Sequence, residues 1–291
     1  MTNGYVFREY IGAQITGVRF SDVPVNAGLS FHFILAFAID YMASKSSSPP
    51  APTNGVFTPF WDTANLSPAA ISATKAAHPN LSVMVGLGGD SVQNTGVKVA
   101  FAPTSVDSWV ANAVSSLSTM INRYGLDGVD VDYEHFGGAD VDTFVECIGR
   151  LLTQLKARFP NIKTSIAPFE DVEVQKHYKA LWSKYSGVID YINFQFYGYG
   201  ANTNVDYYVK FYDLQARNYP GSGAKLLASL ETGNITQQLG LLSPEQGIAG
   251  AKELLRQGKL PGFFIWSADS SKASPYRFEF ETKAQQIVAN H

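Results

Sequence analysis

The chain has 291 residues, of which 45% are hydrophobic and 16% are charged, and this length can bury the core of one large α/β domain. Its formal net charge is -3 and it lacks long runs of like charge, so we expect neither a nucleic-acid partner nor a membrane partner. Cys147 is the only cysteine, which excludes an intrachain disulfide and a cysteine-based metal site.

The start of the chain and its hydropathy bear on its location. The N-terminal residues MTNGYVFREYIGAQ lack the basic region and the apolar stretch of a secretory signal. No apolar run reaches the roughly 18 residues of a membrane span. The chain as numbered is expected to be soluble, and since a mature form without its leader would look the same, the sequence leaves the compartment open.

Eight short segments rich in β-branched and aromatic residues, each bounded by Gly, Pro, Asn or Asp, are predicted as strands. They are Tyr5–Gly12, Phe31–Asp40, Leu81–Gly89, Gly128–Glu134, Lys163–Phe169, Tyr191–Tyr197, Ala224–Thr232 and Gly262–Asp269. Several, such as FHFILAFAID, are almost continuously apolar, which is typical of parallel strands covered on both faces.

Helical segments alternate with these strands, and some carry start signals. Ser105 is an N-cap candidate, and Pro244 follows Ser243 at a first helical position. The predicted helices are Ser67–Ala77, Val106–Tyr124, Val141–Arg158, Val174–Tyr185, Val205–Asn218, Pro244–Gln257 and Glu279–Ala289. The segment between the first two strands is short, so its helix is poorly defined. Strict alternation predicts a single (β/α)8 barrel over residues 1–291 rather than a doubly wound sheet, with the Ser- and Pro-rich stretch Ala43–Thr53 in a long loop on the catalytic face.

The densest chemical signal is LDGVDVDYEHF at Leu126–Phe136. Alternation along a strand puts Asp130, Asp132 and Glu134 on one face, with same-face positions about 6.6 Å apart. Like charges this close in a poorly hydrated pocket cannot all ionise, so we expect one carboxyl to stay protonated as a general acid while a neighbour stays ionised. Two alternatives remain open: a structural role in binding helix N-termini, Arg or Ca2+, and Mg2+ coordination of the enolase kind.

These residues complete a known signature. DGVDVDYE at Asp127–Glu134 resembles the D-G-x-D-x-D-x-E element on the fourth strand of family 18 glycoside hydrolases, the chitinase family. Three further segments resemble the plant class III branch in the same order, namely FREYIG at Phe7–Gly12, YINFQFYGYG at Tyr191–Gly200 and GFFIWSADS at Gly262–Ser270. The resemblance covers essentially the whole barrel.

The resemblance implies substrate-assisted hydrolysis of β-1,4-linked N-acetylglucosamine polymers with retention of configuration. By that resemblance, Glu134 protonates the glycosidic oxygen, the substrate's own acetamide acts as nucleophile, and Asp132 stabilises the resulting oxazolinium ion. Asp130 shares a proton with Asp132, and Tyr197 hydrogen-bonds the acetamide. The implied scheme requires no metal and no organic cofactor.

The resemblance also implies a pocket around these acids. Its substrate-binding candidates are Trp266 as a hydrophobic floor, with Tyr10, Gln195 and Phe37 beside it. A tryptophan in a strand is often core, but a position at the carboxyl end of the last strand favours the floor. Alternation puts Gln195 and Tyr197 on one strand face, although a tyrosine there could equally be buried packing with a satisfied hydroxyl.

The sequence departs from the family pattern at two places. Gly86 occupies the serine position of the third-strand S-x-G-G element, which leaves Ser165 on the next strand, or a water, to tune Asp130. Tyr10 is followed by IGAQ rather than by W-G-Q.

Two polar residues beside the predicted site have open roles. Glu231 ends the seventh strand and is either a pocket residue or a helix-cap partner. His135 follows Glu134 immediately and so faces away from it, which favours a core or surface role over catalysis.

The expected function is that of an endo-acting chitinase, a monomer that acts on chitin or N-acetylglucosamine oligosaccharides in chitin degradation and plant defence. Three alternatives remain: a non-catalytic, narbonin-like storage protein or lectin, an endo-β-N-acetylglucosaminidase acting on N-glycans, and a metal-dependent barrel enzyme. Intact Asp132, Glu134 and Tyr197 favour an enzyme. The family resemblance suggests a vacuolar or extracellular location after processing.

Overall fold

A closed barrel of eight parallel strands forms the centre of the molecule. The computed structural model describes residues 2–42, 49–92, 95–223, 225–233 and 240–290. Within these ranges the barrel strands are β1 Val6–Ile11, β2 Ser30–Ile39, β3 Leu81–Gly89, β4 Gly128–Tyr133, β5 Lys163–Ile166, β6 Tyr191–Ile192, β7 Ala228–Glu231 and β8 Gly262–Trp266. Parallel ladders join them in the order β7, β8, β1, β2, β3, β4, β5 and β6. Backbone bonds from Ile192 N to Lys225 O (2.8 Å) and from Leu227 N to Ile192 O (3.0 Å) close the ring, so the predicted (β/α)8 barrel is confirmed.

Helices cover the outside of the barrel. They are α1 Pro68–Ala77, α2 Val106–Tyr124, α3 Val141–Arg158, α4 Val172–Tyr185, α5 Val205–Asn218, α6 Pro244–Arg256, α7 Ala268–Ala273 and α8 Glu279–Ala289. Ser105 caps α2 and Ser243 forms a capping box with Gln246 on α6, as predicted. Between β1 and β2 the described chain has only the 3-10 turn Phe20–Asp22. None of the described helices is long and apolar enough to cross a membrane.

Four strands are shorter than predicted by three or more residues, and each is confined to its ladder pairs. The predicted strand Ala224–Thr232 is observed only at Ala228–Glu231. The predicted strand Lys163–Phe169 ends at Ile166, Tyr191–Tyr197 ends at Ile192, and Gly262–Asp269 ends at Trp266. After β6 the chain enters a 3-10 turn at Phe196–Gly198, because Phe196 N donates to the side-chain hydroxyl of Ser229 on β7 rather than to a backbone carbonyl of that strand. After β8 the Ser267 hydroxyl caps α7. Those strand ends were therefore predicted wrongly.

Two predictions fall partly outside the described residues. These are Ala224, predicted as the first residue of the seventh strand, and residues 43–48 of the predicted loop Ala43–Thr53. In the described part of that loop, Ala51–Pro52 pairs with Tyr41–Met42. Farther along the same connection, Thr58–Pro59 pairs with the end of β2. This pairing places the connection beside the carboxyl ends of the strands.

The sheet separates two environments. One apolar cluster inside the barrel includes Tyr10, Met84 and Phe264, and a larger cluster lies between the sheet and the helices. Alternate positions of β1 therefore face opposite ways, with Arg8 and Tyr10 inward and Glu9 outward toward α8.

The outward face of β1 carries an unusual buried acid pair. Glu9 and Glu281 are both 0% exposed, and neither carboxylate oxygen of Glu9 has a hydrogen-bond partner among the described residues. Glu281 accepts from the Ser271 hydroxyl. Burial raises the pKa of Glu9 well above its ordinary value, with Glu281 and Asp269 adding to the rise, and burial raises the pKa of Glu281 to about 7. Both acids are therefore held protonated in the folded state at mildly acidic pH.

This pair predicts a loss of stability as pH rises. Because the folded-state pKa of Glu281 is raised, its stabilisation is fully present below the unfolded value near 4.3 and is lost as pH rises through about 7. Since one pKa unit corresponds to about 1.4 kcal/mol, we expect Glu281→Gln to remove on the order of 3–4 kcal/mol of this pH-dependent loss of stability, measured by urea unfolding at pH 4.5 and pH 8. The exposed Glu279 on the same helix is the matched control, as Glu279→Gln. Parallel pH dependence in wild type and Glu281→Gln would contradict the assignment.

Candidate active site

Strand β4 brings the predicted acids to the carboxyl end of the barrel. Asp130 and Asp132 are 0% and 4% exposed. Glu134 lies one residue beyond the strand and is half-buried. Tyr133 points the other way, and its hydroxyl donates to Asp40 Oδ1 at 2.6 Å. The strand thus has the alternation that its sequence predicts, with the acids on the inner face.

A buried carboxylate anchors the outer face of β4. Besides Tyr133, Asp40 accepts from Trp109 Nε1 at 3.0 Å and from Gly55 N at 3.1 Å. Burial raises the pKa of Asp40, while the bonds from Tyr133 and Trp109 oppose the rise. Because Tyr133 lies between Asp132 and Glu134 in the chain, its hydrogen bond to Asp40 fixes the backbone that carries both acids.

Asp130 accepts hydrogen bonds from three other strands or strand ends. Tyr10 donates to Oδ2 at 2.7 Å, and the Ser165 hydroxyl and Asn193 Nδ2 donate to Oδ1 at 2.5 Å and 3.0 Å. Burial raises the pKa of Asp130, while Arg8 and these three donors oppose the rise. Of the two possibilities that the sequence leaves for tuning Asp130, the Ser165 hydroxyl is in direct contact.

Tyr10 lies beneath the pocket rather than on its wall. It is 2% exposed, and its hydroxyl accepts from Asn193 Nδ2 at 3.0 Å while donating to Asp130. Its ring meets Trp266 edge-on with centroids 5.4 Å apart. Burial raises the pKa of Tyr10 well above its ordinary value, with Asp130 adding to the rise, so the phenol remains a donor. Its visible role is to hold Asp130 and to support the tryptophan.

The Phe37 ring explains why β3 has Gly86 where the family pattern has serine. A Cβ added at Gly86 would lie 2.8 Å from Phe37 Cδ1, and one at Gly89 would lie 2.7 Å from Cδ2. The phenyl ring therefore fills the space that a side chain at position 86 needs. Phe37 is half-buried and stacks on Trp266, with centroids 5.7 Å apart and planes at 20°. The two rings form an apolar floor beside the acids.

This packing predicts that a serine at position 86 is not tolerated. We expect Gly86→Ser to destabilise the protein by about 1–3 kcal/mol, because the added atoms force the Phe37 ring to move. Urea unfolding measures the effect, and Gly187→Ser is the matched control, since a Cβ at Gly187 meets nothing within 4 Å. Equal stability of the two variants would show that Phe37 does not hold this position.

Trp266 and Glu231 end neighbouring strands and are partners in the β7 to β8 ladder. Trp266 is partly exposed above the barrel interior, as a pocket floor requires. Glu231 is 2% exposed, and its Oε1 accepts from Gly233 N at 2.7 Å. Glu231 therefore supports a backbone turn next to the floor.

Asp132 and Glu134 affect each other's protonation. Burial raises the pKa of Glu134 to about 7, with the charge of Asp90 adding to the rise. Burial raises the pKa of Asp132 well above its ordinary value, and the charges of Glu134 and Asp130 raise it further. Gln195 Nε2 donates to Asp132 Oδ1 at 3.1 Å and opposes that rise. The trio cannot carry three negative charges near neutrality, so it keeps at least one proton there.

Gln195 and Tyr197 lie near the acids although the strand predicted to carry them has ended. Gln195 Nε2 also donates to Ala167 O at 3.0 Å. The half-buried Tyr197 packs edge-on against Phe264, with centroids 6.0 Å apart. Burial raises the pKa of Tyr197 well above its ordinary value, with Asp132 adding to the rise, so its hydroxyl is a donor at neutral pH. The predicted strand was wrong here, but both side chains are close to Asp132.

The rim beside Glu134 is an ion-paired cluster. Asp90 Oδ1 lies 2.8 Å from His135 Nε2, and both Asp90 oxygens lie 2.7 Å from Lys98 Nζ. Possible metal-ligand atoms of Asp90, Glu134 and His135 lie within 4.8 Å of one another. No other set of three or more acidic, histidine or cysteine residues in the described ranges is as close. Lys98 already pairs with Asp90, one of the three possible ligands. We therefore treat this cluster as an ion pair that adjusts the charge near Glu134.

Three polar residues that support the site were not found from the sequence: Arg8, Asn193 and Asp40. Each had a signal. Arg8 is a charge in an apolar strand two positions before Tyr10, Asn193 alternates with Gln195, and Asp40 follows the apolar run of β2. A buried polar side chain needs a partner, but a single strand does not show which other strand supplies it.

A parallel barrel with a half-buried acid above two buried aspartates, beside an aromatic floor, defines an acid–base glycosidase of the (β/α)8 class. The comparison with known families agrees, because the profile of Glycosyl hydrolases family 18 matches residues 10–255. The chain belongs to this family.

Three known proteins resemble the chain along its length. Chitinase 1 of Tulipa saxatilis subsp. bakeri is 52% identical over 291 residues, which are 100% of this chain and 89% of the relative. The catalytic domain of a family GH18 chitinase from the fern Peteris ryukyuensis superposes with a TM-score of 0.89 at 52% identity, covering 98% of this chain and 99% of that chain. The family 18 chitinase from Crocus vernus also gives 0.89, at 43% identity and with the same coverage of 98% and 99%.

Proposed function

We propose that this chain is an endo-acting chitinase that hydrolyses β-1,4-linked N-acetylglucosamine with retention of configuration. The observation that carries the proposal is the position of Glu134, whose pKa burial raises to about 7, two residues after the buried Asp132 at the carboxyl end of the barrel. The identity of 52% to the tulip and fern chitinases supports the substrate class.

Glu134 is the acid and then the base of the proposed reaction. It donates its proton to the glycosidic oxygen as the bond to C1 breaks. The carbonyl oxygen of the substrate's 2-acetamido group attacks C1 and forms an oxazolinium ion instead of a glycosyl-enzyme bond. The Glu134 carboxylate then takes a proton from a water that attacks C1 on the face vacated by the leaving group. This step opens the oxazolinium ring, restores the acid and leaves the β configuration.

Three other residues act on the acetamide group in this proposal. Asp132 accepts a hydrogen bond from the acetamide N–H and stabilises the positive charge of the oxazolinium ion. The Tyr197 hydroxyl donates to the acetamide oxygen and orients it for attack on C1. Asp130 shares a proton with Asp132, so the charge of the pair can adapt to each step.

The remaining predicted residues shape the pocket. Trp266 supports the apolar face of the sugar, and Phe37 stacks against it. Gln195 orients Asp132, and Tyr10 acts through Asp130. No metal or organic cofactor enters any step.

We extend the proposal to the setting of the protein: one catalytic domain over residues 1–291, active as a monomer in the vacuole or outside the cell, where chitin is degraded in plant defence. A net charge of -3 without basic runs suits a neutral polysaccharide better than a nucleic acid. A storage protein or lectin has no need of a proton donor beside an aspartate, so the acid trio supports catalysis over that alternative.

The test is the anomeric configuration of the first product. Chitin hexasaccharide is incubated with the wild type, and proton NMR follows the anomers within the first minutes. We expect β product first, unchanged rates in EDTA, and no cleavage of the fully deacetylated hexamer, which lacks the nucleophile. An initial α product or cleavage of the deacetylated chain would overturn the mechanism. Loss of activity in EDTA would favour a metal enzyme, and an inactive wild type would favour the storage protein.

The raised pKa of Glu134 predicts the alkaline limit of activity. The proton that catalysis needs is held up to about pH 7, so kcat/KM should fall about tenfold per pH unit above that value. Since the charge of Asp90 raises the pKa of Glu134, Asp90→Asn should move this limit to lower pH. Initial rates from pH 4 to pH 9 measure both effects, and an unmoved or higher limit in Asp90→Asn would contradict the coupling.

A further inference from the structure

A buried arginine lies inside the barrel below the acids. Arg8 is 0% exposed on β1, and its Nη1 donates to Asn193 Oδ1 at 2.7 Å. Its Nη2 lies 2.6 Å from Met84 Sδ, and its Cζ lies 5.0 Å from the ring centre of Tyr191. A guanidinium removed from water in this way requires an anion nearby. The proposed function gives Arg8 no role.

Asn193 connects Arg8 to Asp130. Because Arg8 occupies the amide oxygen of Asn193, the amide nitrogen must face the other way, where it donates to Asp130 Oδ1 and to the Tyr10 hydroxyl, both at 3.0 Å. Since Tyr10 accepts from Asn193, its own proton goes to Asp130 Oδ2. With the Ser165 hydroxyl on Oδ1, both oxygens of Asp130 are acceptors. This pattern suits a carboxylate, because all three contacts use Asp130 as the acceptor.

We propose that Arg8 is a positioning residue that acts through Asn193 as the counter-ion of Asp130. In the free enzyme it holds Asp130 as an anion, so that the proton that the two aspartates share lies on Asp132 and passes to Asp130 only when Asp132 must carry the charge opposite the oxazolinium ion. Arg8 thereby sets the acidic limit of catalysis, while Glu134 sets the alkaline limit. This inference rests on the proposed function for its kinetic consequence, but the charge on Asp130 can be measured without substrate.

The other charged or titratable groups around Arg8 do not provide an alternative anion. Asp190 is ion-paired with Lys156 at 2.7 Å. Tyr191 faces Arg8 with its ring. The buried His32 has its pKa lowered well below the ordinary value by burial, with Arg8 adding to the fall, so it is neutral.

The charges on Arg8 and Asp130 also support each other. Burial lowers the pKa of Arg8, and Asp130 opposes this more than any other charge. Lys163, at the start of β5, adds to the fall in the pKa of His32. Asp130 is therefore the carboxylate that Arg8 compensates.

The test separates the charge of Arg8 from its hydrogen bond. Arg8→Lys keeps the charge, and Arg8→Gln keeps a donor for Asn193 without the charge. The pH profile of kcat/KM on chitin hexasaccharide is measured from pH 3 to pH 9. For Arg8→Gln we expect the acidic limit to rise by about one pH unit or more, with a smaller change at the alkaline limit. For Arg8→Lys we expect the acidic limit to stay close to that of the wild type. A uniform loss of rate at every pH in Arg8→Gln, with unmoved limits, would overturn the proposal.

A second measurement does not depend on hydrolysis. Carbon-13 NMR of aspartate carboxyls in labelled protein, assigned by loss of one signal in Asp130→Asn, reports the ionisation of Asp130 directly. We expect the Asp130 signal of the wild type to be that of a carboxylate at pH 5 and that of Arg8→Gln to titrate at higher pH. An Asp130 that titrates identically in both proteins would refute the inference, even if the wild type hydrolyses chitin. An inactive wild type with the expected NMR shift would refute only the proposed function.

Discussion

Glu134→Gln is expected to lower kcat on chitin hexasaccharide by about 10³-fold, with little change in KM. Glutamine keeps the shape and the hydrogen bonds of the side chain but has no proton to give to the glycosidic oxygen, and general acid catalysis of this kind contributes about 10²–10⁴-fold. The burial that raises the pKa of Glu134 to about 7 keeps that proton available in the wild type. Initial rates at pH 5 and pH 6 measure the loss.

The exposed Glu173 on α4 provides the control for this variant, as Glu173→Gln, because its side chain is 61% exposed and lies outside the site. The control should retain wild-type kinetics. Binding of the hexasaccharide to Glu134→Gln, measured by calorimetry, should persist, since the pocket floor is unchanged. If Glu134→Gln keeps more than about a tenth of the wild-type rate, another group must supply the proton, and the proposed mechanism fails.

Asp132→Asn is expected to lower kcat by about 10²–10³-fold, the range seen when one preorganised group that stabilises transition-state charge is removed. Asparagine can still contact the acetamide group, but it cannot become an anion opposite the oxazolinium ion. The folded protein should not be weakened, because the substitution removes an acid whose charge is opposed by burial and by the three carboxylates Glu134, Asp130 and Asp90. Urea unfolding and initial rates are therefore measured on the same preparations.

The matched control is the exposed Asp142 in the first turn of α3, as Asp142→Asn. A large rate loss in Asp132→Asn with unchanged or higher stability supports a chemical role. A rate loss that follows a loss of stability would instead make Asp132 a structural residue, and near-normal activity would remove it from the mechanism.

The fold and the acids were largely accessible from the sequence because both depend on local periodicity. Alternating or continuous apolar runs located the barrel strands, and strand alternation alone placed Asp130, Asp132 and Glu134 together. Strand ends were less accessible. They depend on where a neighbouring strand stops offering ladder partners, as at Ile166 and Ile192, and this is a property of two segments rather than one.

The support of the site was hidden for a related reason. Arg8 and Asn193 are 185 positions apart in the chain yet 2.7 Å apart in the barrel, and only closure of the barrel brings them together. Whether position 86 can hold a side chain larger than glycine depends equally on Phe37, which lies on a different strand. Inward-facing polar residues can be listed from alternation, but their pairing requires the three-dimensional structure.

The two-sided attachment of β4 has a consequence for the motions that catalysis can use. The phenol of Tyr133 is tethered on the helix side by Asp40, and Asp130 is tethered on the opposite side by three donors. The backbone between them is therefore held from both faces of the sheet, and we expect rearrangement during turnover to be confined to torsions of the Asp132 and Glu134 side chains. The reacting groups are ordered when the polypeptide folds, so a bound sugar meets an arrangement that needs little further ordering.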